Sequence, residues 1–197
     1  MKILIIGGEG TIGKHLVKHF SNKHELIVAS RNNKDYTLDI NSEDSIESFF
    51  KNNSDFNSVI VAAGEAKWAP FEEMSADDFA IGLNSKLMGQ VNVVRIAAKY
   101  LKKDSSVTLT TGILADDPVY MTTSAAMVNG AIHSFVKAVN LEVDIRVNVV
   151  APGLVEDAAE KYDGYFPGHI PVKMSDVVKY YEKSVEGRVR GEVLKIY

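Results

Sequence analysis

The chain has 197 residues, of which 46% are apolar and 24% charged, and this composition is enough for one globular domain with its own core. It contains no cysteine, which excludes disulfides, thiolate nucleophiles and cysteine-based zinc sites and favours a reducing compartment. The formal net charge of -4, with Lys102-Lys103 as the longest basic run, argues against nucleic-acid binding.

Short apolar runs alternate with longer segments of helical period along the whole chain. The first run, residues 2–6, is too short for a signal sequence or a membrane span and is predicted to be a strand. No later segment approaches membrane length, so we expect a cytoplasmic protein without a membrane partner. In chain order the predicted strands are residues 2–6, 25–30, 36–40, 58–63, 106–111, 145–151 and 192–196.

Two long helices are predicted in the central part of the chain. The fourth helix begins at Ser75-Ala-Asp-Asp78, which resembles a capping box, and runs to about Leu101. The fifth helix carries an apolar stripe from Val128 to Val143. Since no linker or repeat interrupts residues 1–197, we expect one Rossmann-type domain: a doubly wound parallel sheet of about seven strands in a three-layer αβα sandwich. Its binding crevice should lie at the carboxyl ends of the strands.

A glycine-rich loop, GGEGTIG at residues 7–13, follows the first predicted strand and enters the first helix. Gly8, Gly10 and Gly13 satisfy the spacing GxGxxG, and Gly7 starts an overlapping GxxGxxG. Glycines permit the tight turn and let the backbone approach a pyrophosphate at the helix N-terminus. The position between strand and helix favours this phosphate site, which includes Thr11 and Ile12, over a turn without a ligand.

The residues after the second strand, Ser30, Arg31 and Asn32, bear on the choice between NAD and NADP. An NAD site usually has an acidic residue there to hold the ribose 2′-hydroxyl, and this sequence has none. Arg31 could grip a 2′-phosphate, with Ser30 or Asn32 donating to it. We therefore expect NADP(H) to be preferred over NAD(H); the alternative is a solvated surface arginine.

Five ordered stretches resemble the short-chain dehydrogenase/reductase superfamily over nearly the whole chain. They are GGEGTIG at 7–13, LDI at 38–40, VAAG at 61–64, the segment from Ser75 to KLMG at 86–89, and IRVNVVAPG at 145–153. The resemblance implies a nicotinamide cofactor and a role for each stretch. Asp39 and Ile40 are expected beside the adenine, Ala62, Ala63 and Gly64 beside its ribose, and Pro152, Gly153 and Val155 beside the nicotinamide carboxamide. The alternative for Asp39 is a carboxylate at a helix entry.

The catalytic positions implied by the resemblance depart from the family pattern. Typical members carry Tyr-x-x-x-Lys on the fifth helix, and here Ala125 and Asn129 stand at those places. Lys86 stands where the family has an Asn on the fourth helix, so the Lys and Asn are exchanged between neighbouring helices. The family serine falls at Thr111 or Gly112, of which Thr111 keeps a hydroxyl.

Other candidates have both a functional and an ordinary interpretation. Tyr120 could swing into the crevice as an acid or be a surface-loop tyrosine. Lys86, if desolvated, could act as a general acid, or its stem could pack while its charge stays in water. His15 and His19 are expected to be exposed polar residues rather than metal ligands. The segment after Gly153 stands where the family has its substrate lid. Asp157 stands where a Thr often contacts the carboxamide. Tyr162, Tyr165 and Phe166 could line an apolar or aromatic substrate pocket or only cover the core.

These features predict an NADP-dependent oxidoreductase that acts on a small carbonyl or hydroxyl compound, with Lys86, Thr111 and Asn129 at the reacting end. The alternative is a catalytically inactive NADP-binding protein that senses redox state or binds a partner. The long fourth and fifth helices, with Gly82, Gly89 and Gly130, could pack against a sister subunit in a homodimer or homotetramer.

Overall fold

Six strands form one parallel sheet in the computed structural model, which describes residues 1–197. They are β1 (Lys2–Ile6), β2 (Glu25–Ala29), β3 (Ser58–Val61), β4 (Ser106–Thr110), β5 (Arg146–Pro152) and β6 (Val193–Ile196). Their order across the sheet is β2-β1-β3-β4-β5-β6, and every neighbouring pair is parallel. The predicted doubly wound fold is therefore confirmed, with six strands rather than about seven.

Seven α-helices connect the strands. They are α1 (Gly13–Phe20), α2 (Glu43–Asn52), α3 (Ala76–Ile81), α4 (Gln90–Tyr100), α5 (Thr123–Val139), α6 (Glu156–Ala159) and α7 (Met174–Glu186). A π-helical segment, Gly82–Gly89, joins α3 to α4, so the predicted fourth helix is one helical run of three parts. Ser75 and Asp78 form the predicted capping box at its start. The fifth helix ends at Val139, which leaves Val143 in the following turn rather than on the helical stripe.

Alternate side chains of each strand pack on opposite faces of the sheet, which produces two cores. Ile3 and Ile5 of β1 belong to the core under α1 and α7, which also contains Tyr181. Leu4 and Ile6 belong to the larger core under α2, α4 and α5. These side chains are at most 1% exposed, and full burial of each contributes about 1.5–3 kcal/mol. This alternation confirms the three-layer αβα arrangement.

The segment predicted as a third strand, residues 36–40, is not a strand. It touches the end of β2 through a single bridge between Ser30 and Thr37, beyond the last residue of β2. Asp39 then closes the turn before α2: its N–H donates to Ser45 Oγ at 3.0 Å, and its Oδ1 accepts from the Asn41 N–H at 3.0 Å. These hydrogen bonds hold the backbone in the turn that precedes α2, so residues 36–40 do not form a full strand ladder.

The sheet order reverses between β1 and β3, where the chain leaves β1 first toward β2 and later toward β4. Open parallel sheets bind their ligands at such a point, outside the carboxyl ends of the strands. In this chain the loops after β1, β3, β4 and β5 meet there. None of the helices combines the length and the apolar character that a membrane crossing requires.

Candidate active site

The glycine loop after β1 is packed closely against the end of β3 and against itself. Gly7 has φ +84°, and a Cβ on it would lie 2.7 Å from the Ala62 carbonyl oxygen. A Cβ on Gly13 would lie 2.1 Å from the Gly7 oxygen. Only glycine fits at these two positions, because the first needs a left-handed backbone and the second has no room for a side chain.

The backbone N–H groups of Thr11, Ile12 and Gly13 have no hydrogen-bond acceptor within the chain. No side chain caps α1, which starts at Gly13. A Cβ on Gly10 would meet nothing nearer than the Gly7 oxygen at 3.4 Å, so the loop is open on that side. The loop therefore presents free donors and the positive end of a helix dipole to a ligand.

A first cavity of about 310 Å³ lies beside this loop, between the ends of β1, β2 and β3. It collects residues predicted for three parts of the cofactor: Gly7 for the diphosphate, Ser30 and Arg31 for the 2′-phosphate, and Ile40, Ala62, Ala63 and Gly64 for the adenine and its ribose. Asn32 is exposed and does not line the cavity. Asp39 does not line it either, and its turn-closing hydrogen bond matches the helix-entry alternative.

Arg31 carries the positive charge of this first cavity. Its side chain is exposed and makes no ion pair in the structure. The neighbouring Ser30 hydroxyl donates to Glu9 Oε2 at 3.4 Å. Glu9, on the glycine loop, is thus a carboxylate close to the Arg31 end of the cavity, and the sequence reasoning did not consider it.

A second and larger cavity, of about 500 Å³, lies over the carboxyl ends of β4 and β5. Lys86, Thr111 and Asn129 line it together, and so do Gly112 and Ala125. The predicted carboxamide residues Pro152, Gly153 and Val155 form its floor with Ile12. Gly64 and Glu65 line both cavities, so the two form one continuous crevice.

Lys86 reaches this crevice from the π-helical segment. The loop after β3 presses against it, since a Cβ on Gly64 would lie 2.9 Å from the Lys86 Cα. Lys86 makes no ion pair in the structure. Burial without a counter-charge lowers the pKa of Lys86 from 10.5 to about 8. Of the two sequence interpretations, the desolvated lysine is therefore the one that the structure favours.

Gln90 holds the π-helical segment against β4. Its buried Nε2 donates to the Lys86 and Thr110 carbonyl oxygens, each at 3.0 Å, and its Oε1 accepts from the Thr110 N–H at 2.9 Å. One amide thus fixes the positions of Lys86 and of the strand end that carries Thr111. Sequence reasoning missed Gln90, although it shares the buried helical face of Val93, Val94 and Ala97.

Thr111, Asn129 and Ala125 form the wall opposite Lys86. Asn129 and Ala125 are each only 5% exposed, and Ala125 leaves a methyl group where the resemblance expects a tyrosine. Thr111 Oγ1 lies 2.9 Å from His133 Nε2. His133 follows Asn129 by one helical turn on α5, and sequence reasoning did not consider it. The backbone of Gly112 borders the same cavity, so both candidates for the serine position lie at the site.

An aromatic lid covers the outer side of the cavity. A bridge between Val155 and Val172 closes its base. Trp68 stacks on Tyr162, with 4.8 Å between ring centroids, and also contacts Phe166 at 6.2 Å. These three aromatic residues and Lys161 line the cavity, whereas Tyr165 faces an outer groove. Trp68, the single tryptophan, was also missed.

The remaining candidates lie outside the crevice. Tyr120 is 74% exposed, borders the outer groove and does not line the crevice, which matches the surface-loop interpretation. Asp157 does not line the cavity: its Oδ2 lies 2.7 Å from Lys14 Nζ and 2.9 Å from His15 Nε2, which ties α6 to α1. His19 pairs with Glu182. No group of residues in the chain has an arrangement that could hold a metal ion.

Comparisons with known proteins place the whole chain among related sequences and structures. A family model described as Enoyl-(Acyl carrier protein) reductase matches residues 14–170. The short-chain dehydrogenase/reductase ucsE of Acremonium sp is 32% identical over 101 residues, which are 49% of this chain. The matched part is only 38% of that relative's own length.

Solved structures match over the full length. The crystal structure of the protein lin1944 from Listeria innocua has 37% sequence identity and a TM-score of 0.97, with 100% of both chains covered. A small-chain dehydrogenase in complex with NADPH has 27% identity and a TM-score of 0.86, with 100% of this chain and 96% of that chain covered.

Proposed function

The chain belongs to the short-chain dehydrogenase/reductase superfamily, and we propose that it is an NADP-dependent oxidoreductase of a small carbonyl or hydroxyl compound. The observation that carries the proposal is the continuous crevice from Arg31, past the glycine loop, to Lys86. A nicotinamide cofactor, when bound there, supplies or accepts the hydride. The residues of this chain bind and orient the cofactor, exclude water and handle the proton.

The glycine loop fits the diphosphate of such a cofactor. Free N–H groups at Thr11, Ile12 and Gly13 match a ligand that carries negative charge and many acceptor oxygens. The adenine half would lie in the first cavity, against Ile40 and Ala63, and the nicotinamide half in the second, over Pro152 and Gly153. The similarity to a small-chain dehydrogenase that binds NADPH supports this arrangement.

Arg31 supports the choice of NADP over NAD. Its unpaired guanidinium borders the first cavity, and a 2′-phosphate would give it a partner through two charge-assisted hydrogen bonds. β2 ends at Ala29 and is followed by Ser30, without the carboxylate that binds a ribose 2′-hydroxyl. The carboxylate of Glu9 would repel the 2′-phosphate, because it lies against Ser30 at the same end of the cavity. We propose that Arg31 outweighs Glu9, since Glu9 can rotate toward solvent.

At the other end of the crevice, Lys86 acts on the reacting oxygen. As an ammonium it can donate a hydrogen bond to a carbonyl oxygen and stabilise the negative charge that forms during reduction. With a pKa of about 8, it exchanges protons readily near neutral pH. Thr111 offers a hydroxyl and Asn129 an amide to the same space. Together Lys86, Thr111 and Asn129 would replace the catalytic residues that typical family members carry.

The lid supports an apolar or aromatic carbonyl compound as the substrate. The faces and edges of Trp68, Tyr162 and Phe166 provide a flat, water-excluding wall. Lys161 lies at the edge of this wall, with its Nζ 5.1 Å from the centroid of the Tyr162 ring. A planar carbonyl compound, held by stacking, would place its oxygen toward Lys86.

One specific feature favours a second candidate function, an NADP-binding protein without turnover. Ala125 cannot exchange a proton, and loss of a general acid typically costs about 100-fold to 10,000-fold in rate. Such a protein would sense the redox state of NADP(H) or support a partner. Both candidates need the cofactor crevice, so cofactor binding does not distinguish them.

Turnover distinguishes them. Purified protein should be incubated with NADPH and a panel of aromatic and aliphatic aldehydes and ketones, and NADPH consumption followed by absorbance. We expect consumption with at least one aromatic carbonyl and its loss in Lys86→Ala. Tight NADPH binding without consumption on any carbonyl would support the non-catalytic alternative. Unchanged rates in Lys86→Ala would refute the role given to Lys86.

A further inference from the structure

The hydroxyl of Thr111 is directed by strand geometry toward α5. Side chains alternate along β4, and the hydroxyls of Thr108 and Thr110 contact Ser184 and Tyr181 of α7, at 2.7 and 2.8 Å. The next residue therefore points to the opposite face, and the Thr111 N–H still donates to the Val150 carbonyl of the neighbouring strand. Thr111 is 7% exposed and lines the larger cavity, and its hydroxyl contacts His133.

His133 connects this hydroxyl with the outside of the protein. Its Nε2 lies 2.9 Å from Thr111 Oγ1. Its Nδ1 makes no hydrogen bond within the chain and is not fully enclosed, so it keeps some contact with solvent. The two nitrogens of one ring thus face the cavity side and the solvent side, as a proton carrier requires.

The charges around His133 are mixed. Asp116, in the loop after β4, acts to raise its pKa, whereas Lys195 of β6 and Lys137 of α5 act to lower it. Burial is the largest influence, and the net effect is a pKa below the ordinary value of 6.5. Asp116 is itself held by Lys195 Nζ at 2.6 Å and by the Tyr197 hydroxyl. Burial therefore favours the neutral ring of His133, which can accept a proton at one nitrogen while it releases one from the other.

We propose that Thr111 and His133 form a proton relay that joins the reacting oxygen in the cavity to solvent. The proposal rests on the oxidoreductase function above and names the route of its proton. In reduction, the carbonyl carbon accepts a hydride from the reduced nicotinamide cofactor, and the oxygen takes the proton of Thr111 Oγ1. Thr111 takes the Nε2 proton of His133, and His133 takes a proton from water at Nδ1.

The atoms and electrons of these transfer steps balance. A C–H and an O–H bond form as the C=O π bond breaks, the carbonyl is reduced and the cofactor is oxidised. Water supplies the proton and leaves as hydroxide, and His133 returns to its Nε2-protonated tautomer by proton exchange with water before the next turnover. Lys86 keeps its charge beside the oxygen and stabilises it. Thr111 is the catalytic residue of the relay because it touches the reacting oxygen, and His133 acts through it.

The kinetic test uses three variants, Thr111→Val, Thr111→Ser and His133→Ala, with the best carbonyl of the panel. Thr111→Val removes the hydroxyl and Thr111→Ser keeps it; His133→Ala removes the ring, and added imidazole can replace it from the solvent side. We expect kcat to fall about 100-fold in Thr111→Val and His133→Ala with an unchanged KM for NADPH. Thr111→Ser should keep most of kcat, and imidazole should restore kcat in His133→Ala but not in Thr111→Val. His24→Asn, a histidine paired with Glu186 away from the crevice, is the control.

A second readout does not depend on turnover. In ¹⁵N-labelled protein without cofactor, the His133 ring signals are identified by their absence in His133→Ala. Thr111→Val should shift the Nε2 signal and change the tautomer ratio, and Thr111→Ser should leave both near the wild-type values. If the ¹⁵N chemical shift of His133 Nε2 is the same in the wild type and in Thr111→Val, the relay is wrong.

The outcomes separate the relay from the proposed function. If the wild type consumes NADPH and His133→Ala does so at the same rate, the relay is wrong while the oxidoreductase proposal stands. If the wild type consumes no NADPH with any carbonyl, the proposed function fails, and the relay fails with it.

Discussion

Replacing Lys86 by methionine should make the protein more stable at neutral pH. Lys86 is held without a counter-charge at the crevice, and its pKa falls from 10.5 to about 8. Since Lys86 is only partly buried, the difference corresponds to no more than about 3 kcal/mol of destabilisation of the folded state, at about 1.4 kcal/mol for each pH unit. Methionine keeps the apolar stem and removes the charge. We therefore expect Lys86→Met to raise the free energy of unfolding by about 2–3 kcal/mol at pH 7.

The sign of the predicted stability change follows from the protonation of Lys86 in the folded and in the unfolded chain. Below pH 8 the lysine is protonated in both the folded and the unfolded chain, so the folded state carries the full cost of burying the charge. Between pH 8 and 10.5 the folded state has lost the proton and the unfolded state has kept it, so wild-type stability rises relative to the variant. Above about pH 10.5 both states are neutral, and the two proteins should be equally stable.

Urea unfolding, followed by circular dichroism at pH 7, 9 and 10.5, measures this difference. Lys51→Met, at an exposed position near the end of α2, is the matched control and should change stability by no more than about 0.5 kcal/mol. The gap between Lys86→Met and the wild type should narrow from pH 7 to pH 10.5. Equal stabilities at pH 7, or a gap that does not change with pH, would refute a desolvated lysine at this site.

Further predictions concern the lid, the glycine loop and the assembly. Trp68→Ala should raise the KM for an aromatic carbonyl about 10-fold and leave NADPH affinity unchanged; a parallel loss of NADPH affinity would contradict its place in the lid. Glu9→Gln should tighten NADPH binding several-fold and leave NADH binding nearly unchanged in calorimetry, because it removes a carboxylate beside the 2′-phosphate. We propose that Met88 and Met127, which are 42% and 44% exposed on the π-helical segment and α5, lie in a contact between two copies of the chain. Changing both to Lys should then lower the molar mass measured by light scattering to that of a monomer, and a wild type that is already monomeric would refute the contact. Leu141→Lys, at an 88% exposed position, is the control and should leave that mass unchanged.

The strands and the capping box could be predicted from the sequence because their causes are local. Strands buried on both faces are continuous apolar runs, and Ser75 with Asp78 satisfies the first N–H groups of a helix within four residues. The loops at the strand ends then follow from the parallel topology, which is why Gly64 and Thr111 could be expected beside the cavity that they line.

Residues 36–40 were misread because their alternation imitates an edge strand. Tyr36, Leu38 and Ile40 do turn inward. The preceding turn decides the outcome, since Asn33 Oδ1 accepts from the Tyr36 N–H at 3.0 Å and its Nδ2 donates to the Val28 carbonyl at 3.1 Å. A turn that is closed by such side-chain hydrogen bonds leaves the alternation of apolar and polar residues unchanged. The alternation therefore predicted a strand at residues 36–40, where the structure has none.

The parts of the site that sequence reasoning missed depend on contacts between distant residues. The π-helical register around Lys86 depends on Gln90 bridging to β4 and on the close approach of Gly64. The contact between Thr111 and His133 joins residues 22 positions apart, on a strand end and in a helix. No residue spacing encodes these distances, which appear only when strand and helix are packed.

Calorimetric titration of NADPH and NADH into the wild type and Arg31→Ala tests the cofactor assignment most directly. The guanidinium should contribute about 1.5–3 kcal/mol through charge-assisted hydrogen bonds, which is about 10-fold to 100-fold in affinity. We expect NADPH to bind at least about 10-fold more tightly than NADH in the wild type, and equally tightly in Arg31→Ala. Equal affinities of the wild type for the two cofactors, or a preference that survives in Arg31→Ala, would contradict the account.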